Sequence, residues 1–293
     1  MINVEHVVEG ADGRRLRVVE RGAEGGSVVL VHHGTPSPGS LWPAHAEMAA
    51  ARGARMIAYD RPGYGGSDEH RGRTVSCAVR DVQAIADHLG AERLVTWGAS
   101  GGGPHALACV ALLGDRVAAA AAVACVAPAE ADGLQFLAGM GEENVEEFGY
   151  ALEGRAALEP YLCEMTSHLL ASNPGDVAQI MQTILSPVDR EVFSGALAEH
   201  IVGGMHAGLA PGPEGWIEDD LAFVADWGFC VEDIRAPVLL MQGEQDLMVP
   251  ADHGRWLAGR IDGVDAHVLP DEGHLTITQR RMPEILDWLL AKL

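Results

Sequence analysis

The stretch Trp97-Gly98-Ala99-Ser100-Gly101-Gly102-Gly103 sets one serine among glycines between two predicted elements. The residues before it, 93–97, are apolar or β-prone and predict a short buried strand. Residues 104–113 predict a helix that has proline in its first turn. The chain therefore turns from strand to helix at Ser100.

This turn is typical of a serine nucleophile. A sharp strand-to-helix turn needs small residues two positions away on either side, and these are Gly98 and Gly102. The turn would lift the Ser100 hydroxyl clear of the sheet, and the backbone N–H of Gly101 would face negative charge developing beside it.

Residues 101–106 also fit Gly-x-Gly-x-x-Ala, the pattern of a dinucleotide-binding turn. That fold places the pattern at its first strand-to-helix turn and an acidic residue at the end of the next strand, about twenty positions on. Here the next predicted strand, 117–126, contains only Ala, Val and Cys. The context therefore argues against dinucleotide binding.

Composition indicates a globular protein with a substantial core, since 48% of the 293 residues are hydrophobic. The first fifteen residues lack the apolar run of a signal peptide, and the longest apolar run, 117–128, is too short for a membrane span of about 20 residues. Five widely spaced cysteines suggest free thiols in a reducing compartment. We expect a cytoplasmic protein.

The charge distribution is uneven. The formal net charge is −22, which argues against binding to nucleic acid or to an anionic membrane. Residues 128–233 hold 20 acidic residues and only two arginines. One segment therefore carries most of the negative charge.

Strands and helices alternate through most of the chain. A hairpin is predicted at 4–8 and 15–20, followed by strands at 28–31 and 56–59, helices at 43–52 and 74–89, and, after the serine turn, a strand at 117–126. The rhythm resumes with strands at 238–242 and 266–269 and helices at 252–259 and 283–293. This pattern predicts an α/β fold whose mostly parallel sheet has about eight strands and helices on both faces.

Residues 128–233 interrupt that alternation. Their apolar residues follow a helical period, and no buried strand is predicted among them. Helices are predicted at 142–152, 156–170, 176–185, 191–205 and 217–227. The predicted organisation is a core of residues 1–127 and 234–293 with a helical insertion at 128–233.

A serine nucleophile needs an imidazole to take its proton and a carboxylate to orient that imidazole. The two resumed strands end in Gly243-Glu244-Gln245-Asp246 and in Pro270-Asp271-Glu272-Gly273-His274. In a parallel sheet both ends lie on the same edge as Ser100. Asp246 and His274 are the candidates, with Glu244 or Asp252 as alternative acids.

With these motifs in the order Ser, Asp, His, nearly the whole chain resembles the α/β-hydrolase fold superfamily, in its serine esterase, lipase and iminopeptidase-like branch with a helical cap. The resemblance implies that Ser100, Asp246 and His274 form a catalytic triad. It also implies that the N–H groups of Thr35 and Gly101 form the oxyanion hole. His33 and Gly34, which match the family's His-Gly after the third strand, would support that loop, as would the turn glycines Gly98 and Gly102.

The resemblance implies a serine hydrolase that cleaves a carboxylic ester or related acyl bond of a small molecule through an acyl-enzyme. Amide cleavage of the proline-iminopeptidase type, carbon–carbon bond hydrolysis, perhydrolysis and a non-enzymatic small-molecule receptor are alternatives. No metal or organic cofactor is implied, because the only Glu-x-x-x-His pair, Glu164 and His168, lacks a third ligand. The sequence makes no prediction of the oligomeric state.

Four glutamates of the insertion, at 142, 143, 146 and 147, form like-charged i,i+4 pairs. They could hold a cationic substrate group such as an amine, but a solvated surface is the favoured interpretation. The apolar residues of the insertion are expected to be core rather than pocket, among them Phe136, Met140, Met165, Met181, Phe193 and Met205.

Overall fold

An eight-stranded sheet forms the centre of the molecule in the computed structural model, which describes residues 1–293. Its strands are β1 (Ile2–Glu9), β2 (Arg15–Gly22), β3 (Ser27–His32), β4 (Ala54–Tyr59), β5 (Leu94–Ala99), β6 (Val117–Val123), β7 (Val238–Gly243) and β8 (Asp265–Leu269). They lie in the order β1-β2-β4-β3-β5-β6-β7-β8. The β1–β2 and β2–β4 pairs are antiparallel and the others are parallel. The predicted fold class is confirmed.

The central strands are buried on both faces, and successive side chains alternate between them. In β3, Val28 and Leu30 join one apolar cluster, whereas Val29 and Val31 join the other. This alternation follows from the two-residue period of a strand. A continuous apolar run such as 28–31 is thus the sequence signature of a strand covered on two sides.

Helices cover both faces of the sheet. They are α1 (Pro43–Ala51), α2 (Ala78–His88), α3 (Gly103–Leu112), α4 (Glu142–Glu153), α5 (Arg155–Ala171), α6 (Pro174–Ile180), α7 (Pro187–Val192), α8 (Gly195–Leu209), α9 (Glu214–Val224), α10 (Ala251–Ala258) and α11 (His274–Leu290). Buried residues of α2, α3 and α10 belong to one apolar cluster, and those of α1 and α11 belong to the other. No helix of this chain combines the length and apolar composition needed to cross a lipid bilayer.

Residues 128–233, which we call the helical insertion, leave the sheet after β6 and return to it at β7. They contain α4 to α9 and no strand. Buried side chains such as Leu158, Leu162 and Phe223 join the same apolar cluster as Leu30 and Leu107 of the core. The helical insertion therefore packs on the face of the sheet that α2 and α3 also cover.

The last helix differs from its prediction. It was expected to begin at Pro283, yet α11 begins nine residues earlier, at His274, and contains Pro283 in its interior. Proline inside a helix removes one hydrogen bond and clashes with the preceding turn, at a cost of about 3 kcal/mol. Burial of Ile277 before the proline and of Ile285 and Leu289 after it holds the helix together.

The predicted helix at 191–205 is also wrong in its bounds, because α7 and α8 divide there at Phe193 and Ser194. Gly195, with φ of +52°, lies at this break in the backbone region that favours glycine. The predicted helix at 176–185 is shorter, since α6 begins with an Asn173 cap and ends at Ile180. Local capping residues set these bounds, and the helical period alone did not reveal them.

Candidate active site

Ser100 lies immediately after β5, at the turn into α3. Its φ is +55°, which is strained for a residue with a side chain. A Cβ atom on Gly98 would collide with the carbonyl of Gly102, and one on Gly102 would collide with the carbonyl of His32. These close approaches explain why both positions must be glycine.

The loop that follows β3 lies against this turn. Gly34 is so placed that a Cβ atom on it would lie 3.6 Å from Ser100 Cβ. A Cβ atom on Gly101 would collide with Thr35 Oγ1 and would lie 2.8 Å from the Phe223 ring. Thr35 and Gly101, the two predicted oxyanion donors, are therefore neighbours beside Ser100.

His33 holds the loop after β3 to the turn after β4. Its Nε2 accepts a hydrogen bond from the Arg61 backbone N–H at 3.0 Å, so its Nδ1 is the protonated nitrogen and donates to the Gly34 carbonyl at 2.8 Å. Burial and the charge of Arg61 keep the pKa of His33 well below its ordinary value. His33 is therefore a neutral structural group.

Asp219 of α9 ties the helical insertion to the same loop. One of its oxygens accepts from Arg61 Nε at 3.0 Å and Arg73 Nη2 at 2.6 Å. The other accepts from Arg61 Nη2 at 2.6 Å, Tyr64 OH at 2.9 Å and Thr35 Oγ1 at 2.7 Å. Burial alone would raise the pKa of Asp219, but the two guanidinium groups outweigh it and hold that pKa well below its ordinary value.

Asp246 and His274 meet at the end of the sheet that carries Ser100. Asp246 Oδ2 accepts a hydrogen bond from His274 Nδ1 at 2.7 Å, and its Oδ1 accepts from the N–H groups of Met248 at 2.9 Å and Val249 at 2.8 Å. The bond to Asp246 leaves His274 Nε2 as the basic nitrogen of the neutral ring. The alternative acids, Glu244 and Asp252, are exposed and bind Arg255 instead.

Asp189 of the helical insertion caps the helix that bears His274. Its carboxylate accepts from the N–H groups of His274 at 2.9 Å, Leu275 at 2.8 Å and Thr276 at 3.0 Å. A Cβ atom on Gly273 would collide with this carboxylate, so the Gly-His pair also reflects the close approach of Asp189. Three of the four free N–H groups of a helix start point at one buried anion.

The charge balance around His274 favours its protonated form. Burial lowers the pKa of His274, but the carboxylates of Asp246 and Asp189 outweigh burial, and the pKa is raised above its ordinary value. Ser100 Oγ makes no hydrogen bond to His274 in this structure. Contacts between a serine and its base are often long before substrate binds.

A cavity of about 850 Å3, measured out to its open mouth, lies between Ser100 and the helical insertion. Thr35, Ser100 and Gly101 form one part of its wall. Most of the remaining lining is apolar and comes from the insertion, including Met165, Met181, Met205, Phe148 and Phe223. Met165, Met181 and Met205 therefore line the cavity and also pack within or against the apolar cluster that contains Leu30.

His32 and His105 are buried and neutral. Burial lowers the pKa of each ring well below its ordinary value, and for His32 the nearby His105 lowers it further. His105 Nδ1 lies 2.8 Å from the Gly101 carbonyl beneath the serine turn. The chain contains no group of three or more His, Cys, Asp or Glu side chains arranged to hold a metal ion.

Sequence reasoning missed Arg61, Asp189, Asp219 and Asp220, which the fold brings to the site from distant segments. Arg61 follows Asp60 in the turn after β4, and the aspartates lie among the 20 acidic residues of the insertion. A run of two aspartates inside an apolar helix, Asp219-Asp220 between Ile217 and Leu221, is the one local signal of unusual burial.

A sequence model of the alpha/beta hydrolase family matches residues 28–287. The chain belongs to the alpha/beta hydrolase family. The chain is 31% identical over 223 residues to epoxide hydrolase A of Mycobacterium tuberculosis, an alignment covering 71% of this chain and 60% of that protein. It is 28% identical over 246 residues to a non-heme haloperoxidase of Rhodococcus erythropolis, covering 83% and 82%. The chain spans only 60 to 62% of the length of two such relatives.

Solved alpha/beta hydrolases have the same architecture. An alpha/beta hydrolase fold protein from Nakamurella multipartita is 29% identical and superposes with a TM-score of 0.65 over 97% of this chain and 99% of that one. This match spans the sheet and the helical insertion, and the family model spans strands β3 to β8 and the helical insertion; the family is one of hydrolases.

Proposed function

We propose that this alpha/beta hydrolase is a serine hydrolase that cleaves a carboxylic ester or related acyl bond. In this proposal Ser100 is the nucleophile, His274 the general base and Asp246 the residue that orients the imidazole. The N–H groups of Thr35 and Gly101 form the oxyanion hole. The helical insertion serves as a cap that lines the acyl pocket and selects the substrate.

The proposed reaction has two halves. His274 Nε2 takes the Ser100 hydroxyl proton as Oγ bonds to the acyl carbon, and the carbonyl electrons move to an oxyanion that the two N–H groups bind. His274 then gives its proton to the leaving alcohol, which departs and leaves an ester on Ser100. In the second half His274 takes a proton from water as the water oxygen attacks the ester carbon. The tetrahedral intermediate then collapses, the acid leaves, and His274 returns its proton to Ser100 Oγ.

The observation that carries the proposal is the 2.7 Å bond between Asp246 Oδ2 and His274 Nδ1 at the same sheet edge as the strained Ser100. A buried carboxylate bound to one ring nitrogen fixes the tautomer whose other nitrogen is basic. A loop crowded against Gly101 and held by the buried Asp219 supports a preformed oxyanion hole. Loss of one such donor typically costs about 2.7 to 4 kcal/mol of transition-state stabilisation.

The sequence similarity to epoxide hydrolase A suggests epoxide opening as an alternative reaction on the same fold. Epoxide hydrolases resemble this chain in fold but carry aspartate at the turn where this chain has Ser100. A carboxylate that opens an epoxide forms an ester, which water can then hydrolyse, whereas a serine oxygen would form an ether, which water does not cleave. The residue at position 100 therefore favours acyl transfer over epoxide opening.

A fluorophosphonate probe tests the proposed nucleophile. The wild-type protein should be labelled at one site, and Ser100→Ala should abolish both labelling and hydrolysis of p-nitrophenyl esters. Ser172→Ala, which changes a half-buried serine at the end of α5, is the matched control and should retain both. Labelling that persists in Ser100→Ala, or ester hydrolysis that survives it, would show that another group is the nucleophile.

Ester and amide cleavage can be separated with matched leaving groups. Hydrolysis of a p-nitrophenyl ester is expected to exceed that of the corresponding p-nitroanilide by orders of magnitude in kcat/KM. A prolyl p-nitroanilide turned over as fast as the esters would favour the peptidase alternative.

A further inference from the structure

Three carboxylates line the cavity above Ser100, and no lysine or arginine lines it. They are Glu143 and Glu147 of α4 and Asp220 of α9. Glu143 is bound by Thr183, whose backbone N–H donates to it at 3.2 Å and whose hydroxyl also donates. The carboxylates available to a bound molecule are therefore Glu147 and Asp220.

Asp220 is fully buried, and neither of its carboxylate oxygens accepts a hydrogen bond from a protein N–H or hydroxyl group. Its one hydrogen-bonding neighbour is another carboxyl, that of Glu147, and the two can bond only by sharing a proton. A buried carboxylate without a donor or a cation is strongly unfavourable, and native structures retain few such groups. Asp220 faces the cavity, so a molecule in the cavity can supply the missing partner.

One carboxylate oxygen of Glu147 is hydrogen-bonded to the protein and the other is available to a ligand. Its Oε1 accepts a hydrogen bond from the Trp216 indole N–H at 2.8 Å, and its Oε2 accepts from no protein donor. The rings of Trp216, Tyr161 and Phe148 line the same cavity. Aromatic faces attract a cation within about 6 Å, which adds to the attraction of the carboxylates.

We propose that Glu147 and Asp220 form a subsite for an alkylammonium group, so that the substrate carries a protonated amine on its acyl chain. The proposal rests on the proposed function, because it names the substrate class of that same pocket. It gives a binding role to two of the 20 acidic residues of the insertion, while exposed glutamates such as Glu146 remain solvated.

The subsite lies close to the proposed reaction centre. Trp216, Asp220 and Phe223 are spaced four and three residues apart on α9, so they share one face of the helix, and all three line the cavity. Phe223 lies against Gly101. Asp220 is one helical turn from Phe223, or about 4.5 Å along the helix axis, so the subsite and the serine turn belong to the same cavity wall.

In the empty site a proton takes the place of the cation. Burial and the Glu147 charge raise the pKa of Asp220 well above its ordinary value, and burial also raises the pKa of Glu147. The other charged or titratable groups near the pair are Glu143 and Tyr161 in the cavity wall and Asp219 and Arg73 beside Asp220. Of these, Arg73 opposes the rise for Asp220. An ammonium group displaces the shared proton, so its affinity rises with pH until the amine itself loses its proton.

Binding can be measured without turnover in the Ser100→Ala protein. The probes are n-butylamine, which is cationic at neutral pH, and n-butanol, which has nearly the same shape without the charge. By calorimetry at pH 8 we expect butylammonium to bind at least tenfold more tightly than butanol, and its affinity to fall as pH is lowered toward 5. Equal affinities, or an affinity independent of pH, would overturn the proposal.

Paired variants separate the subsite from general negative charge. In the Ser100→Ala background, Glu147→Gln and Asp220→Asn should each weaken butylammonium binding about tenfold and leave butanol binding unchanged. Glu146→Gln removes the same charge from the adjacent exposed position and should have less than a twofold effect. If all three variants weaken binding equally, the attraction is long-range and the subsite does not exist.

Failure of the subsite and failure of the proposed function give different results. A protein that fluorophosphonate labels at Ser100, but that binds the two probes equally, keeps the function and loses the subsite. A protein that prefers butylammonium, but that is neither labelled nor active on esters, keeps the binding site and loses the chemistry. In the wild type, p-nitrophenyl esters of 4-aminobutyrate and pentanoate should differ at least tenfold in KM, in favour of the amine.

Discussion

Asp219 and Asp220 are consecutive residues of α9 and both are fully buried, yet their surroundings are opposite. Asp219 faces the core and accepts hydrogen bonds from Arg61, Arg73, Tyr64 and Thr35. Asp220 faces the cavity and accepts none. A rotation of about 100° between neighbouring helix positions therefore separates a structural anion from an unpaired one.

The comparison extends to the helical insertion as a whole. Asp219 and Asp189 both reach into the core, one to the loop after β3 and the other to the start of α11. The insertion thus touches both halves of the candidate active site, the loop after β3 and the helix that bears His274. Asp189 and Asp219 are as deeply buried as Asp220, so burial alone does not distinguish them. The difference lies in the hydrogen-bond donors that surround each carboxylate.

The largest effect is expected from Asp219→Asn. The substitution leaves two buried guanidinium groups, of Arg61 and Arg73, without a counterion, and breaking such a pair typically lowers the free energy of unfolding by about 3 to 5 kcal/mol. Urea denaturation measures this loss. In the folded fraction, kcat should also fall with little change in KM, because Thr35 loses its anchor.

The matched control is Asp252→Asn, which removes a carboxylate from an exposed ion pair with Arg255. Exposed pairs contribute at most about 1 kcal/mol, so this variant should stay near wild type. Equal losses in the two variants would contradict the interpretation of Asp219 as the anchor of the loop.

Asp189→Asn is expected to have an intermediate effect. An amide offers one acceptor oxygen to three N–H groups, and loss of a helix cap lowers stability by about 0.5 to 2 kcal/mol. Removal of the charge also lowers the pKa of His274, so the acidic limb of the pH–activity profile should move to lower pH. Glu191→Gln, an exposed change on the same helix, should move neither quantity. A loss of stability without a shift of that limb would leave Asp189 a structural cap only.

Asp220→Asn should change stability in the opposite sense from Asp219→Asn. The pKa of Asp220 is raised on folding, so the wild type loses stability as pH rises from about 4, where the unfolded carboxyl ionises, toward the folded pKa. Asparagine does not ionise, so the variant does not lose this stability, and its free energy of unfolding at pH 8 should exceed that of the wild type by on the order of 1 kcal/mol. Denaturation at pH 4 and pH 8 checks the sign, and destabilisation comparable to that of Asp219→Asn would refute the contrast.

The smallest expected effect concerns the pH–activity profile of the wild type, namely the pH at which its acidic limb lies. Because His274 must be neutral to act as base, kcat/KM should fall about tenfold per pH unit below its pKa. Asp246 and Asp189 raise that pKa, so the limb should lie above the ordinary histidine value of about 6.5. A limb at or below 6.5 would mean that burial outweighs the two carboxylates.

Much of the fold could be predicted from the sequence because its signals are local. Two-sided strands appear as apolar runs such as 28–31, and the serine turn appears as Gly98 and Gly102 around Ser100. Predictions failed where a tertiary contact overrode a local signal. Pro283 was taken as a helix start, but apolar packing carries α11 through it from His274.

Some residues of the candidate site could be predicted from the sequence and others could not. Asp246 and His274 follow predicted strands, so topology alone brings them to one sheet edge, where they lie 2.7 Å apart. Asp189 and Asp219 follow no strand and match no motif, and their partners are tens of residues away in the chain. Side-chain contacts between distant segments leave no periodic trace in the sequence.

The sequence by itself determined the order of strands and helices, the serine turn, and the acid and base that end successive strands. Those features depend on residue size, periodicity and chain direction, which are properties of short segments. Only the tertiary structure decided which of the many acidic residues of the insertion are paired, which are solvated and which face the cavity. That outcome depends on the direction of each side chain relative to a distant arginine, a helix start or an empty volume, and no short segment contains this information.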